Sequence, residues 1–332
     1  MITALQMDNL THSLAGAALA QTGLKNKTGL GLPALVIGAN LPDVDAACFF
    51  WLEGTEHLGL RRGITHGPPA WFLLPVVLAA GLWWFDRWQA KRGKRPADRL
   101  PVSFKWLYIL SFIGCLSHPA MDWFNVYGIR LLEPFSSQWF YGNVLFIIDV
   151  WLIAILGIGV WWSARQEKRG GVWKRPAWVT IIIACVYIGA NWMITQSYQL
   201  RDSDVAVPGR VVIASPPPLF SWQREMITGQ NGQYMIVDPA IEDQDMHATT
   251  HHDDEKLIQR VGECALEPAF AARQGNSQLD AFLFWSRTPF AQRAKDGSMV
   301  LYDARFYDPR ARGRFSVALP DVDCVRLATS SP

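Results

Sequence analysis

Up to about Gln196 the chain is a succession of apolar runs divided by short basic connections, and three runs are long enough to span a bilayer: Pro69–Trp84, Val144–Trp162 and Trp178–Ile194. In hydrocarbon every backbone N–H and C=O needs an internal partner, so an apolar run of about 20 residues forms a helix rather than an open strand. Trp and Phe gather at the ends of these runs, as an aromatic belt at the membrane–water interface requires. A fourth run, Phe104 to Met121, carries a polar pair near its far end. Leu10–Leu24 and Leu30–Leu41 are shorter and rich in Ala, Gly and Leu, and they read as two membrane helices or as a re-entrant pair.

After Gln196 the composition changes. Arg210–Ala214, Gln233–Val237, Ala281–Trp285, Met299–Phe306 and Phe315–Ala318 are β-like runs, separated by the turn sequences PPP at 216–218, GQNG at 229–232 and KDG at 295–297. The predicted fold is a mainly α polytopic membrane domain over residues 1–197, followed by a small β-rich extramembrane domain over 198–332. Overall figures of 50% apolar and 18% charged residues hide this division. The net charge of +2 is small and the basic residues sit in short connections, which argues against nucleic acid as a partner. The opening MITALQMDNLTHSLAGAALAQ has no basic lead and carries Asp8 and His12 in its apolar part, so it reads as retained structure rather than a cleaved signal. The five Cys form no metal or redox motif; Cys264 and Cys324 are expected to pair if the later domain lies outside the cytoplasm.

Topology follows from the positive charges. Arg87 to Lys105 and Arg165 to Arg175 are rich in Lys and Arg and are expected in the cytoplasm, whereas Trp123 to Asn143 has only Arg130 and Glu133 and belongs outside. In that frame Lys25 and Lys27 are cytoplasmic, the connection 42–68 is external, and so is everything after Gln196.

His118 and Asp122, at i and i+4, lie one turn apart on one helical face and can converge on a single ion. Asp8 with His12 repeats the spacing; Asp43 and Asp45 follow the second run, His66 precedes the third, and Asp149 lies early in the Val144 run. The charge rule never consulted these eight residues, yet it sets all of them at the outer ends of their segments. An unpaired carboxylate such as Asp149 inside FIIDVW is costly, so a metal, a His or Arg130 is its expected partner. Asp43-Val44-Asp45 can give one metal ligand and one bridging ligand, or one ligand and one acceptor for a His, and Asp43 and Asp8 can instead cap helices. Arg61 and Arg62 beside His66 suit an anion clamp or lipid headgroups. His247, His251, His252, Asp253 and Asp254 read as a solvated loop.

These residues also carry a resemblance. MDNLTHSLAGA, GANLPDVD, RRGITHG, LSHPAMDWFNVYGIRLLEPFS and FIIDVW resemble, in order and spacing, the motifs of the YdjM-like family of inner-membrane metal-dependent hydrolases, a group that is LexA-regulated in some bacteria. The resemblance covers the membrane part and implies a bacterial inner-membrane protein whose polar motif positions fall on Asp8, His12, Asp43, Asp45, His66, His118, Asp122 and Asp149. It departs at two points: Arg61 stands where the family has the first His of HRG-x-TH, and Gly67 where Ser is common.

The expected function is therefore a membrane-bound metal-dependent hydrolase acting on a phosphoester or similar bond of a lipid or lipid-linked substrate, with the later domain periplasmic. His12, Asp43, Asp45, His66, His118 and Asp122 are the expected ligands of a divalent ion, zinc first, with manganese or magnesium as alternatives. Asp149, Asp8 and Arg62 are the expected catalytic groups, and Arg61, Arg62, Arg130 and Tyr127 the substrate-binding ones. Two other readings use the same residues: a transporter binding a cation or relaying protons, and a non-catalytic scaffold stabilised by metal.

Overall fold

The computed structural model describes residues 2–203, 208–238, 258–309 and 311–327, with the backbone alone for 2–8 and 201–203. His247, His251, His252, Asp253 and Asp254 lie outside the described residues. The chain divides into two compact units, one of Met1–Asp45 with Arg62–Trp192, the other of Ala46–Arg61 with Met193–Pro332.

The first unit is built from α1 (Ile2–Gln21), α2 (Gly31–Gly38), α4 (Pro68–Lys91), α5 (Phe104–Trp123), α6 (Val150–Lys168) and the larger part of α7 (Lys174–Ser203), with the short α3 (His57–Leu60) falling in the second unit. α2 packs between α1 and α5. The approach is close because Gly114 faces it; a Cβ there would stand 2.6 Å from the carbonyl oxygen of Leu35. Ala20, Ala34, Leu35, Ala79, Leu107 and Leu110 fill one core, and Ala18, Leu145, Leu152, Leu156 and Ala184 another.

Among the described residues, α4 and α7 are the helices long and apolar enough to cross a membrane, with a third span if Gly31–Gly38 is joined to the 3-10 segment Leu41–Phe50 across a 51° bend. Phe72, Val77, Ile182 and Val186 stand exposed along α4 and α7, as lipid-facing side chains do. The Val144–Trp162 run expected to span differs from this expectation: its first six residues are loop, the helix begins after Asp149, and it ends in Arg165, Glu167 and Lys168. The basic connections hold their helix ends by cation–π contact and ion pairs. Arg87 lies 3.7 Å from the Trp83 ring centroid, Lys25 sits over Trp173 and pairs with Glu167, and buried Asp86 holds Arg95 and Arg99.

In the second unit, Ala46–Arg61 joins the C-terminal chain because α3 packs on α9 (Ser277–Trp285) and Thr55 Oγ1 donates to the Gln278 carbonyl at 2.8 Å. One antiparallel sheet runs β1 (Val211–Ser215), β2 (Glu225–Gln230), β3 (Gln233–Val237), β4 (Ile258–Val261); a second runs β5 (Pro289–Arg293), β6 (Ser298–Asp303), β7 (Ser316–Asp323). The GQNG turn closes the β2–β3 hairpin with Asn231 and Gly232 at φ 50° and 81°, a two-residue hairpin turn that Asn-Gly favours. α8 (Glu267–Ala271) follows Cys264, which is disulfide-bonded to Cys324.

One expected strand is a helix: Ala281–Trp285 closes α9. Asn276 caps it by accepting from the Leu279 N–H at 3.0 Å, and Leu279, Phe282 and Trp285, three apart, form its buried face. Three short strands that sequence analysis did not identify, β2, β4 and β5, complete the sheets. Asp303 is fully enclosed; burial pushes its carboxyl up, but Arg305 and the hydroxyl of Ser286 outweigh this and hold it below the usual carboxylate range.

A buried histidine–aspartate cluster

Four segments of the first unit bring their polar side chains to one buried place: α1 with His12, the 3-10 segment after α2 with Asp43 and Asp45, the turn Ile64–His66 before α4, and the end of α5 with His118 and Asp122. The i, i+4 spacing on α5 puts His118 Nε2 3.5 Å from Asp122 Oδ2. His66 Nε2 lies 3.6 Å from the same oxygen, and Asp43 Oδ1 stands 3.7 Å from His118 Nε2 and 3.9 Å from His66 Nε2. His12 stacks on His118 with ring centroids 3.8 Å apart, and its Nε2 is 3.4 Å from Asp122 Oδ1.

These separations are too long for hydrogen bonds, and the Nε2 atoms of His66 and His118 make none. Two atoms each bonded at about 2.1 Å to one ion stand roughly 3.0–3.4 Å apart, so a contraction of a few tenths of an ångström would enclose one. Within this cluster two sets of three residues have their donor atoms close together, His12–His118–Asp122 and Asp43–His66–His118. His118 belongs to both.

Each central imidazole is fixed from behind. His118 Nδ1 donates to the Ala39 carbonyl at 2.7 Å. His66 Nδ1 lies 2.9 Å from Thr65 Oγ1, whose hydroxyl donates to Asp45 Oδ2 at 3.0 Å, so Nδ1 carries the proton here too. Both rings then point Nε2 inward, the arrangement that supporting hydrogen bonds impose on ligand histidines. Asp45 is thereby occupied: it also accepts from the Arg62 backbone N–H at 2.8 Å, and the sets of close donor atoms do not include it.

Arg62, at φ 54°, turns its buried guanidinium into the cluster. Nε is 3.0 Å from Asp122 Oδ2, Nη1 donates to Asn125 Oδ1 at 2.9 Å, and the Tyr127 ring lies 4.7 Å beneath. Arg130 is buried over Trp139 and pairs with Glu133 at 3.0 Å; burial lowers its pKa and Glu133 opposes this. The chain passes close here: a Cβ on Gly67 would fall 1.8 Å from the Glu133 carbonyl oxygen, which explains Gly at this position. Arg61 belongs to the second unit, where it lies over Phe49.

Among the described residues Asp149 pairs with neither a His nor Arg130. It is the N-cap of α6, accepting from the Leu152 N–H at 2.8 Å and from the Tyr187 hydroxyl at 2.8 and 2.9 Å. A cap and a phenol satisfy it without Arg130. Between Asp149, Asp122, His12 and Asn125 lies a cavity of about 20 Å³, room for one water. Asp8 falls in the body of α1, which starts at Ile2 rather than beside it; its side chain is outside the described residues.

Asn125, Thr65 and Tyr187 are members that sequence analysis did not single out. Asn125 had a signal, since His118, Asp122 and Asn125 are spaced i, i+4, i+7; Tyr187, inside an apolar run, had only its lone hydroxyl.

A family model described as YdjM inner membrane protein matches residues 7–198, which include every member of the cluster. The uncharacterized protein YfhP of Bacillus subtilis (strain 168) is 25% identical over 167 residues, 47% of this chain and 47% of its own, so the chain spans about half the length of the curated relative it matches. No solved structure matches the chain.

Proposed function

This chain belongs to the YdjM inner membrane protein family, and we propose that its buried cluster holds a divalent metal ion and hydrolyses a phosphoester or similar bond of a lipid or lipid-linked substrate at the outer face of the membrane. The reading rests on one observation above all: two imidazoles, each with Nδ1 engaged, aim bare Nε2 atoms at two carboxylate oxygens 3.5–3.9 Å away. His66, His118, Asp43 and Asp122 would hold the ion, with His12 beside the other carboxylate oxygen of Asp122; two nitrogens and hard oxygens suit zinc first, then manganese.

A divalent ion bound there supplies a Lewis acid that activates water and polarises the scissile bond. Asp149 borders the one-water cavity beside Asp122 and His12, where its carboxylate orients water and takes a proton from it. Tyr187 and the α6 N-terminus keep Asp149 facing that space. Arg62 fixes Asp122, and Arg130, freed from Glu133, offers charge to an anionic group. A lipid substrate fits a site enclosed by helices of an inner membrane protein, and the outer face fits the basic connections and a disulfide in the C-terminal unit.

The Arg62–Asp122 pair favours a second reading, a metal-free polar network that pins the helices. Elemental analysis of detergent-purified protein separates the two. About one ion per chain, lost in His118→Ala, supports the metal site; none in either protein rejects it. Release of product from phospholipids or prenyl phosphates, abolished by chelation, then tests the hydrolase.

A further inference from the structure

The C-terminal unit exposes three large apolar side chains in one short turn: Leu219, Phe220 and Trp222 are 53%, 52% and 51% accessible. The turn is anchored where it leaves them exposed. The Gln223 N–H closes it onto the Phe220 carbonyl at 2.8 Å, and Arg224, with no accessible surface, donates to the carbonyls of Ser221 and Gln223. The same guanidinium reaches α7, its Nε donating to Thr195 Oγ1 at 2.9 Å. A fully buried arginine bound to three acceptors is a rigid link, because breaking it strands a charge.

Thr195 marks a depth. From the basic pair Lys174 and Arg175 at one interface, a hydrocarbon core of about 30 Å takes up roughly 20 helical residues, which ends near Ile194. The turn linked to Thr195 therefore stands at the edge of the bilayer, where aromatic side chains with one polar end are favoured. We propose that Leu219–Trp222 is a membrane-seating turn, with Leu219, Phe220 and Trp222 entering the lipid headgroup region and holding the β-rich unit down on the bilayer. The fixed link to α7 brings these exposed side chains to the lipid surface.

The test is a nitroxide label at Phe220→Cys in full-length protein carrying Cys185→Ser, reconstituted into phosphatidylethanolamine–phosphatidylglycerol vesicles. Collisions with oxygen, which concentrates in lipid, are compared with those of a water-soluble nickel chelate. Val186→Cys on the lipid-facing side of α7 and Gly313→Cys on an exposed turn are the references. The oxygen-to-nickel ratio at 220 is expected several-fold above that at 313 and close to that at 186, with Trp222→Cys behaving alike. Ratios at both sites matching 313 would overturn the proposal. So would poor access of both reagents, which would mean a protein partner.

Discussion

His118 donates its Nδ1 proton to the carbonyl of Ala39 at 2.7 Å, so the end of one helix sets the orientation of a ring on another. Ala39 follows the last turn of α2, where carbonyls lack helical partners, and its acceptor is free to take the imidazole. Displacing α2 should therefore weaken metal binding without altering any ligand. Gly38→Val is the displacement to make, since even a Cβ there would meet the Ser111 carbonyl oxygen at 2.9 Å. Zinc affinity by chelator competition is expected to fall about 10- to 100-fold.

Thr65 performs the same service for His66. Thr65→Val keeps the shape but removes the hydroxyl between the ring and Asp45, so His66 loses its fixed tautomer. The expected loss of zinc affinity is again about tenfold or more. An unchanged affinity would mean Asp45 takes the proton directly across the present 3.6 Å.

Arg62→Gln leaves Asp122 buried without its guanidinium. Breaking such a pair costs roughly 3–5 kcal/mol, so the melting temperature in detergent should drop sharply. Excess zinc should recover part of the drop, because the ion supplies the missing positive charge.

Glu225 gives the C-terminal unit a pH dependence. Burial, with Asp238 and Asp308 nearby, pushes its carboxyl up to about 7. A raised carboxyl favours folding while protonated: that contribution is complete below the ordinary glutamate range and is lost as pH rises through about 7. Glu225→Gln should accordingly melt like wild type at pH ~4 and higher than wild type at pH ~8, by about 1–3 kcal/mol in stability.

The Cys264–Cys324 bond closes a loop of 60 residues in sequence separation, and its reduction should destabilise the C-terminal unit by about 2–4 kcal/mol. Thiol labelling of denatured protein from intact cells checks the compartment: Cys48, Cys115 and Cys185 should react without reduction, whereas Cys264 and Cys324 should react only after it.

The sequence by itself determined the long apolar helices and the residue types of the cluster. Apolar runs around α4 and α7 are helical in lipid because no other backbone geometry satisfies itself there. The His118–Asp122 spacing forces both side chains to one face before any packing is known. Asn-Gly at 231–232 likewise imposes its hairpin locally.

Tertiary structure alone decided the partners. Asp43 and Asp45 are one residue apart and chemically alike, yet one faces two imidazoles and the other a threonine and a backbone N–H. Asp149 became a helix cap, and Arg61 and Arg62 parted into different units. Ala281–Trp285 became helical because a core waited for Leu279, Phe282 and Trp285 on one side. Local sequence fixes which groups exist and their spacing along an element; which of them meet depends on contacts far apart in the chain, and those follow from packing.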